Sequence, residues 1–271
     1  MPQKYVSVGS VATLVHHRGP TTLPGRPPDT SAGPVVLCFH DAGGNGNEFA
    51  AVLDALADGH TPVAYDQPGH GRSGSLDSLA SVPAMAKHAR ATSDAVGLRS
   101  PVLVGEGLGA AVALEAAIAD PSWPAALVLC GGATAQFDIS DEVLTQIRRI
   151  AGGKARREFD QTGYAPDTPR EVYGKAFAEW VKTDPRVTVG DREAQKAWDG
   201  RGRLGAVTCP VVVVVGQHED AIAKAAASEL ASLVADGRVI QLPGAGRRGV
   251  LEQPAALATI ISAVTKTGAR A

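Results

Sequence analysis

The chain has little of what usually marks a function at first sight. Its 271 residues include three cysteines, two methionines and only 4% aromatics. Cys38, Cys130 and Cys209 are far apart, which excludes a cysteine metal site of the usual close spacing. Each lies in or beside an apolar, strand-like run, so they are expected to be buried, reduced thiols. No apolar run reaches the ~18 residues of a membrane span. The opening Met1-Pro-Gln-Lys-Tyr-Val lacks the apolar core of a signal peptide. With 26 Lys and Arg against 28 Asp and Glu, the net charge is −2, which leaves no basic surface for nucleic acid or an anionic membrane. These absences predict a cytoplasmic protein whose partner is a small-molecule substrate or ligand. Neither a metal nor a cofactor is expected, and the one assembly considered is a homodimer.

What is present is a regular alternation of short apolar runs with helical patterns. Apolar residues make up 44% of the chain, and the length suits one large α/β domain with an insertion. Tyr5–Val8 and Val11–Val15 alternate around Gly9-Ser10 as an opening hairpin, and residues 18–34 read as an irregular loop. Strands are predicted at Val35–Phe39, Val63–Tyr65, Val102–Val104, Ala126–Cys130, Val211–Val215 and Val239–Leu242. Helices are predicted over Asn47–Leu56, Val82–Val96, Ala221–Val234 and Pro254–Val264. Strands alternating with helices give a mostly parallel, doubly wound sheet. Residues 136–204 are polar, helical in pattern and hold most of the large aromatics, including Phe159, Phe177 and Trp180. They read as a helical cap inserted into a core made of residues 1–135 and 205–271.

The stretch Val102-Leu-Val-Gly-Glu-Gly-Leu-Gly-Ala-Ala111 reads as strand, sharp turn and helix. That is the context of a G-x-S-x-G nucleophile elbow, but the central position is Gly107. Further along are His40-Asp-Ala-Gly-Gly44, Asp66-Gln-Pro-Gly-His-Gly-Arg-Ser73, Gly216-Gln-His-Glu-Asp220 and Pro243-Gly-Ala-Gly-Arg247. In this order and at these intervals the segments resemble the α/β-hydrolase family, of the single-cap, bacterial esterase-like type. The resemblance covers the chain from Val35 to the last helix and implies the α/β-hydrolase fold.

It also implies where a catalytic set would sit: Gly107 at the nucleophile position, Arg247 at the histidine position and Glu219 at the acid position. Serine attack needs a hydroxyl and a neutral imidazole, and arginine, always protonated, cannot replace the imidazole. Glycine accepts the strained elbow backbone without a Cβ penalty and leaves room at the pocket floor. Arg247 is expected either to pair with Glu219 or to point into the pocket and hold an anion. The backbone N–H groups of Leu108 and Ala42 correspond to the family's oxyanion hole and are expected to persist. Asp41 adds a carboxylate there as a candidate general base, and His40 borders it as a loop-shaping or catalytic residue. Glu106 flanks the elbow centre, and Trp180 is one of the cap aromatics able to line a pocket. His70, Ser73 and His218 read as structural or solvated. The expectation is a protein that binds a small, partly apolar carbonyl compound and performs non-hydrolytic chemistry of lyase, isomerase or cyclase type. Two alternatives stand beside it: an inert ligand- or protein-binding module, and a hydrolase with a displaced nucleophile or an activated water.

Overall fold

The computed structural model describes residues 2–23 and 25–268, so Pro24 of the 18–34 loop lies outside the described residues. The chain opens with the hairpin β1 (Gln3–Val8) and β2 (Val11–His17). It continues through β3 (Val35–Phe39), α1 (Ala50–Leu56), β4 (Thr61–Tyr65), α2 (Val82–Val96), β5 (Val102–Glu106), α3 (Leu108–Ala119) and β6 (Ala126–Cys130). Three helices follow without an intervening named strand: α4 (Asp141–Ala151), α5 (Arg170–Trp180) and α6 (Pro185–Ala197). Then come β7 (Val211–Gly216), α7 (Ala221–Ser232), β8 (Gly237–Leu242), α8 (Gly249–Glu252) and α9 (Pro254–Gly268).

The strands form one sheet in the order β1-β2-β4-β3-β5-β6-β7-β8. β1, β2 and β4 pair antiparallel, and β4 through β8 pair parallel. The five valines of β7 explain its place. Stiff β-branched side chains suit a pleated backbone, and a parallel strand covered on both faces needs apolar residues throughout. All six β7 residues are buried, whereas β1, at one edge, alternates exposed and partly buried positions. Successive residues of the central strands feed opposite layers. Leu37, Phe39, Leu103, Leu127 and Val213 join the layer under α2 and α3; Val36, Cys38, Val104, Val128 and Val212 join the layer under α1 and α9. The three cysteines are free and buried, as their surroundings in the sequence imply.

Several element boundaries differ from the sequence expectation, and the starts of β4 and α1 have a clear physical reason. β4 starts at Thr61 and contains Pro62, which has no N–H to donate. Proline is tolerated there because β2 pairs only with Val63, Ala64 and Tyr65, leaving the Pro62 nitrogen beyond that ladder. The helix expected from Asn47 begins as a 3-10 turn, Gly46–Phe49, capped by the Asn45 side chain accepting from the Asn47 N–H. No helix among the described residues is long and apolar enough to cross a membrane.

Candidate functional site

The loops that leave the carboxyl ends of β3, β5, β6, β7 and β8 converge, as ligand-binding loops do in open α/β sheets. Those after β3, β6, β7 and β8, with α4, α5 and α6, enclose a cavity of about 810 Å³. Asp41 lines it, and the β5–α3 turn lies behind the Asp41 side chain. Gly107 there has φ +54° and ψ −112°, a conformation that an L side chain adopts only under strain.

The atom in front of Gly107 belongs to the protein itself. The Ala42 N–H donates to Asp41 Oδ1 at 2.7 Å, and the Leu108 N–H donates to the same oxygen at 2.8 Å. The two backbone donors expected to form an oxyanion hole therefore do converge, but on an internal carboxylate oxygen. A Cβ on Gly107 would lie 2.0 Å from Asp41 Oδ1, so the Asp41 side chain occupies the space a nucleophile's side chain would need. Leu108 is the first residue of α3, and the positive end of the helix dipole adds to the attraction.

Burial opposes the charge on Asp41, but Arg247, Arg192, Arg248 and the Leu108 N–H together hold its carboxyl below the ordinary range. The Arg248 side chain is 19% exposed, against 42% for Arg247. It lies 3.2 Å from Glu48, 3.7 Å from Asp41 and 3.7 Å from Glu106. Glu106 lies beneath the turn, against Gly131 and outside the cavity lining. Burial, opposed by Arg248 and reinforced by Glu48 and Asp41, pushes its carboxyl up to about 8. Neither Glu106 side-chain oxygen has a hydrogen-bond partner, so nothing there favours the charged form except the arginines. Burial also raises Glu48, again against the pull of Arg248.

Of the two arrangements expected for Arg247, the ion pair with Glu219 is not formed. Arg247 Nε donates to the Gly131 carbonyl at 3.1 Å, and its Nη2 leans toward Asp41 Oδ2 at 3.8 Å. Glu219 Oε1 instead accepts the Gly216 N–H at 2.8 Å, so its side chain folds back on the end of its own strand. Both residues border the cavity, and the Arg247 side chain is 42% exposed.

His40 is buried away from the cavity lining. Its Nδ1 donates to the Asp41 carbonyl at 2.8 Å, and its Nε2 accepts the Gln67 N–H at 3.2 Å. Burial and the neighbouring His70 lower its pKa to about 4, so it is a neutral ring with both nitrogens committed to backbone. His70 reaches across to the helical segment: its Nε2 is 2.8 Å from Asp191 Oδ2 on α6. Asp191 also accepts the Gly43 N–H at 2.8 Å and the Ser78 hydroxyl at 2.6 Å, and Thr183 Oγ1 donates to the Gly43 carbonyl at 2.7 Å. Burial opposes a charge on His70, but Asp191 raises its pKa nonetheless. The loop carrying Asp41 is thus gripped by the α5–α6 segment at both polar atoms of Gly43. Ser73 serves its own loop by donating to the Asp66 carbonyl at 2.6 Å, and His218 lines the cavity.

Trp180 lines the cavity as expected from its place among the aromatics. It packs with Phe159 and Phe177, and the Arg157 guanidinium stacks 4.1 Å from its ring centre. Among the described residues of the lining there is no serine or cysteine. Among the described residues no group of three His, Cys, Asp or Glu side chains could hold a metal ion. Sequence reasoning missed Arg248, Glu48, Arg192 and Asp191. The one available signal was the doublet Arg247-Arg248, which implies carboxylate partners if either guanidinium is buried.

Residues 35–260 match the alpha/beta hydrolase family. The chain is 27% identical over 244 residues to polyketide synthase ThaQ of Burkholderia thailandensis, a match that covers 83% of this chain but spans only 12% of ThaQ. It is 24% identical over 201 residues to a 2-hydroxy-6-oxononadienedioate/2-hydroxy-6-oxononatrienedioate hydrolase of a Pseudomonas species, covering 68% of this chain and 71% of that one. The enol-lactonase structure from Burkholderia xenovorans LB400 superposes with a TM-score of 0.78 at 21% identity, over 97% of this chain and all of that one. With its sheet order, the loops at its strand ends and a match across residues 35–260, this chain belongs to the alpha/beta hydrolase family.

Proposed function

We propose that this chain binds a small, partly apolar compound in the cavity and does not carry out acyl transfer by serine attack. One observation carries the reading: Asp41 Oδ1 takes up both the Ala42 and Leu108 N–H groups in front of a side-chain-free Gly107. An acyl-transfer site needs a nucleophile at that turn and unoccupied donors for the oxyanion. Here the carboxylate of Asp41 takes the place of both. Arg247 stands at the position where the family has its histidine and cannot accept a proton. The cavity itself supports binding, since its volume lies within the range of ligand sites and aromatic and aliphatic side chains share the lining with charged groups.

A second reading keeps chemistry in the site. Asp41 Oδ2 accepts no hydrogen bond and is only loosely approached by Arg247 and Arg248. It is the atom that would take a proton in a lyase or isomerase reaction. The lowered pKa of Asp41 makes it a weak base, which ranks this reading second.

Fluorophosphonate labelling followed by intact mass measurement tests the proposal. No adduct is expected on the folded chain. An adduct mapped to any residue of the cavity would overturn the proposal in favour of a displaced nucleophile.

A further inference from the structure

The ligand-binding reading, on which this inference rests, leaves the class of ligand open, and the arginines of the cavity narrow it. Four guanidinium groups border it. Arg248 is surrounded by Asp41, Glu48 and Glu106. Arg157 is stacked on Trp180 and donates to the Thr183 carbonyl at 2.7 Å. The other two are under-used. Arg247 spends Nε on Gly131, and its terminal nitrogens make no hydrogen bond, with the nearest carboxylate oxygen at 3.8 Å. Arg192 donates from Nη1 to Gln195 Oε1 at 2.6 Å and forms no ion pair. Both line the cavity that Asp41 also lines, and both attract its charge.

Six carboxylates share the lining: Asp41 and Glu48 face Arg248, and Glu158 is exposed with no hydrogen bond or ion pair among the described residues. Asp160, Glu219 and Asp220 each accept a backbone N–H at 2.8 Å. Arg192 lies one turn beyond Thr188 on α6, and both border the cavity, so the helix presents a hydroxyl and a guanidinium on one face. Ile147 and Ile150, three residues apart on α4, add an apolar wall, and Trp180 adds an aromatic one. A planar guanidinium with unpartnered nitrogens is suited to bidentate contact with a carboxylate.

We propose that the ligand is an organic carboxylate with an apolar or aryl body, its carboxylate held by Arg247 and Arg192 and its body lying against Trp180, Ile147 and Ile150. The carboxylate sits on the cavity side of the arginines, opposite Asp41, so the internal carboxylate stays on the Ala42 and Leu108 N–H groups.

The test uses the full chain and three probes of one shape: 4-phenylbutanoate, 4-phenylbutanamide and 4-phenylbutylamine. Binding is read by titration calorimetry at low salt, with tryptophan fluorescence alongside. The carboxylate is expected to bind at least ten-fold more tightly than the amide, and the amine least. Arg247→Ala and Arg192→Ala should each weaken the carboxylate about ten-fold or more while leaving the amide unchanged, and added salt should weaken the carboxylate alone. Trp180→Phe should remove the fluorescence response but keep the calorimetric preference. Equal binding of amide and carboxylate, preference for the amine, or no binding of the carboxylate at 10 mM would overturn the inference. Circular dichroism of each variant establishes that it is folded. A fluorophosphonate adduct would instead overturn the underlying reading, so the two failures are separate.

Discussion

Replacing Gly107 by serine should be costly, and the reason for the cost can be isolated. The new Cβ would fall 2.0 Å from Asp41 Oδ1, well inside van der Waals contact, so the carboxylate must leave. Leaving breaks its bonds from Ala42 at 2.7 Å and Leu108 at 2.8 Å. Hydrogen bonds to a charged group contribute about 1.5 kcal/mol or more each. The backbone at φ +54° adds about 1–2 kcal/mol of strain for a residue with a Cβ. Together these give on the order of 4 kcal/mol, or roughly 8–16 °C in thermal midpoint for a chain of this size. In an Asp41→Gly background the collision and the broken bonds are gone, and only the strain remains. Urea denaturation of the parent, both single variants and the double variant should therefore show a coupling of about 3 kcal/mol between positions 41 and 107. Additive costs, or a serine at 107 that costs nothing in the parent, would refute the claim that Asp41 fills the turn.

Other outcomes follow from the same geometry. Arg248→Met should destabilise by about 3–5 kcal/mol in urea, because Glu48, Glu106 and Asp41 lose a buried partner. Arg247→Ala should cost less than about 1 kcal/mol, its side chain being 42% exposed and its carboxylate contact long. Glu106 keeps its proton in the folded chain up to about 8, against an ordinary 4.5, so between those values the folded state binds the extra proton and stability falls as pH rises. The parent should lose up to about 1.4 kcal/mol per pH unit relative to Glu106→Gln across that window and nothing further above it; a constant gap between urea midpoints from pH 5 to 9 would contradict this. Asp191→Ala should cost about 3 kcal/mol or more by orphaning His70 and freeing Gly43, and hydrogen exchange should show faster opening of the Gly43 N–H.

The fold was legible because its signals are local and repetitive. The valines of β7, the alternation of β1 and β2 and the glycine-dense turn at Gly107 each report directly on burial or backbone shape. The site was only partly legible. The family resemblance named the Ala42 and Leu108 N–H groups together, and both do donate to one oxygen, since backbone donors go wherever the loops go. It did not reveal that Asp41 would turn inward onto both, because that depends on a side-chain rotation, not on periodicity. The Arg247–Glu219 pair failed for a similar reason: Glu219 reaches the Gly216 N–H three residues back, a local bond that competes with the distant guanidinium. Glu48 and Arg248 were overlooked because charged residues on a short helix and a loop read as solvated, whereas here each offsets the other's burial.

The central claim is that Asp41 replaces both nucleophile and oxyanion at the turn. Turnover of 4-nitrophenyl acetate by the parent, by Gly107→Ser/Arg247→His, and by the triple variant that adds Asp41→Gly tests it most directly. Buffer-level rates are expected for the parent and for the double variant, whose displaced Asp41 carboxylate still crowds the turn and repels a developing oxyanion, and measurable though slow hydrolysis for the triple variant alone, where that carboxylate is gone and the hydroxyl, the imidazole and the Ala42 and Leu108 donors act together. Hydrolysis by the parent, or a double variant as fast as the triple, would contradict it.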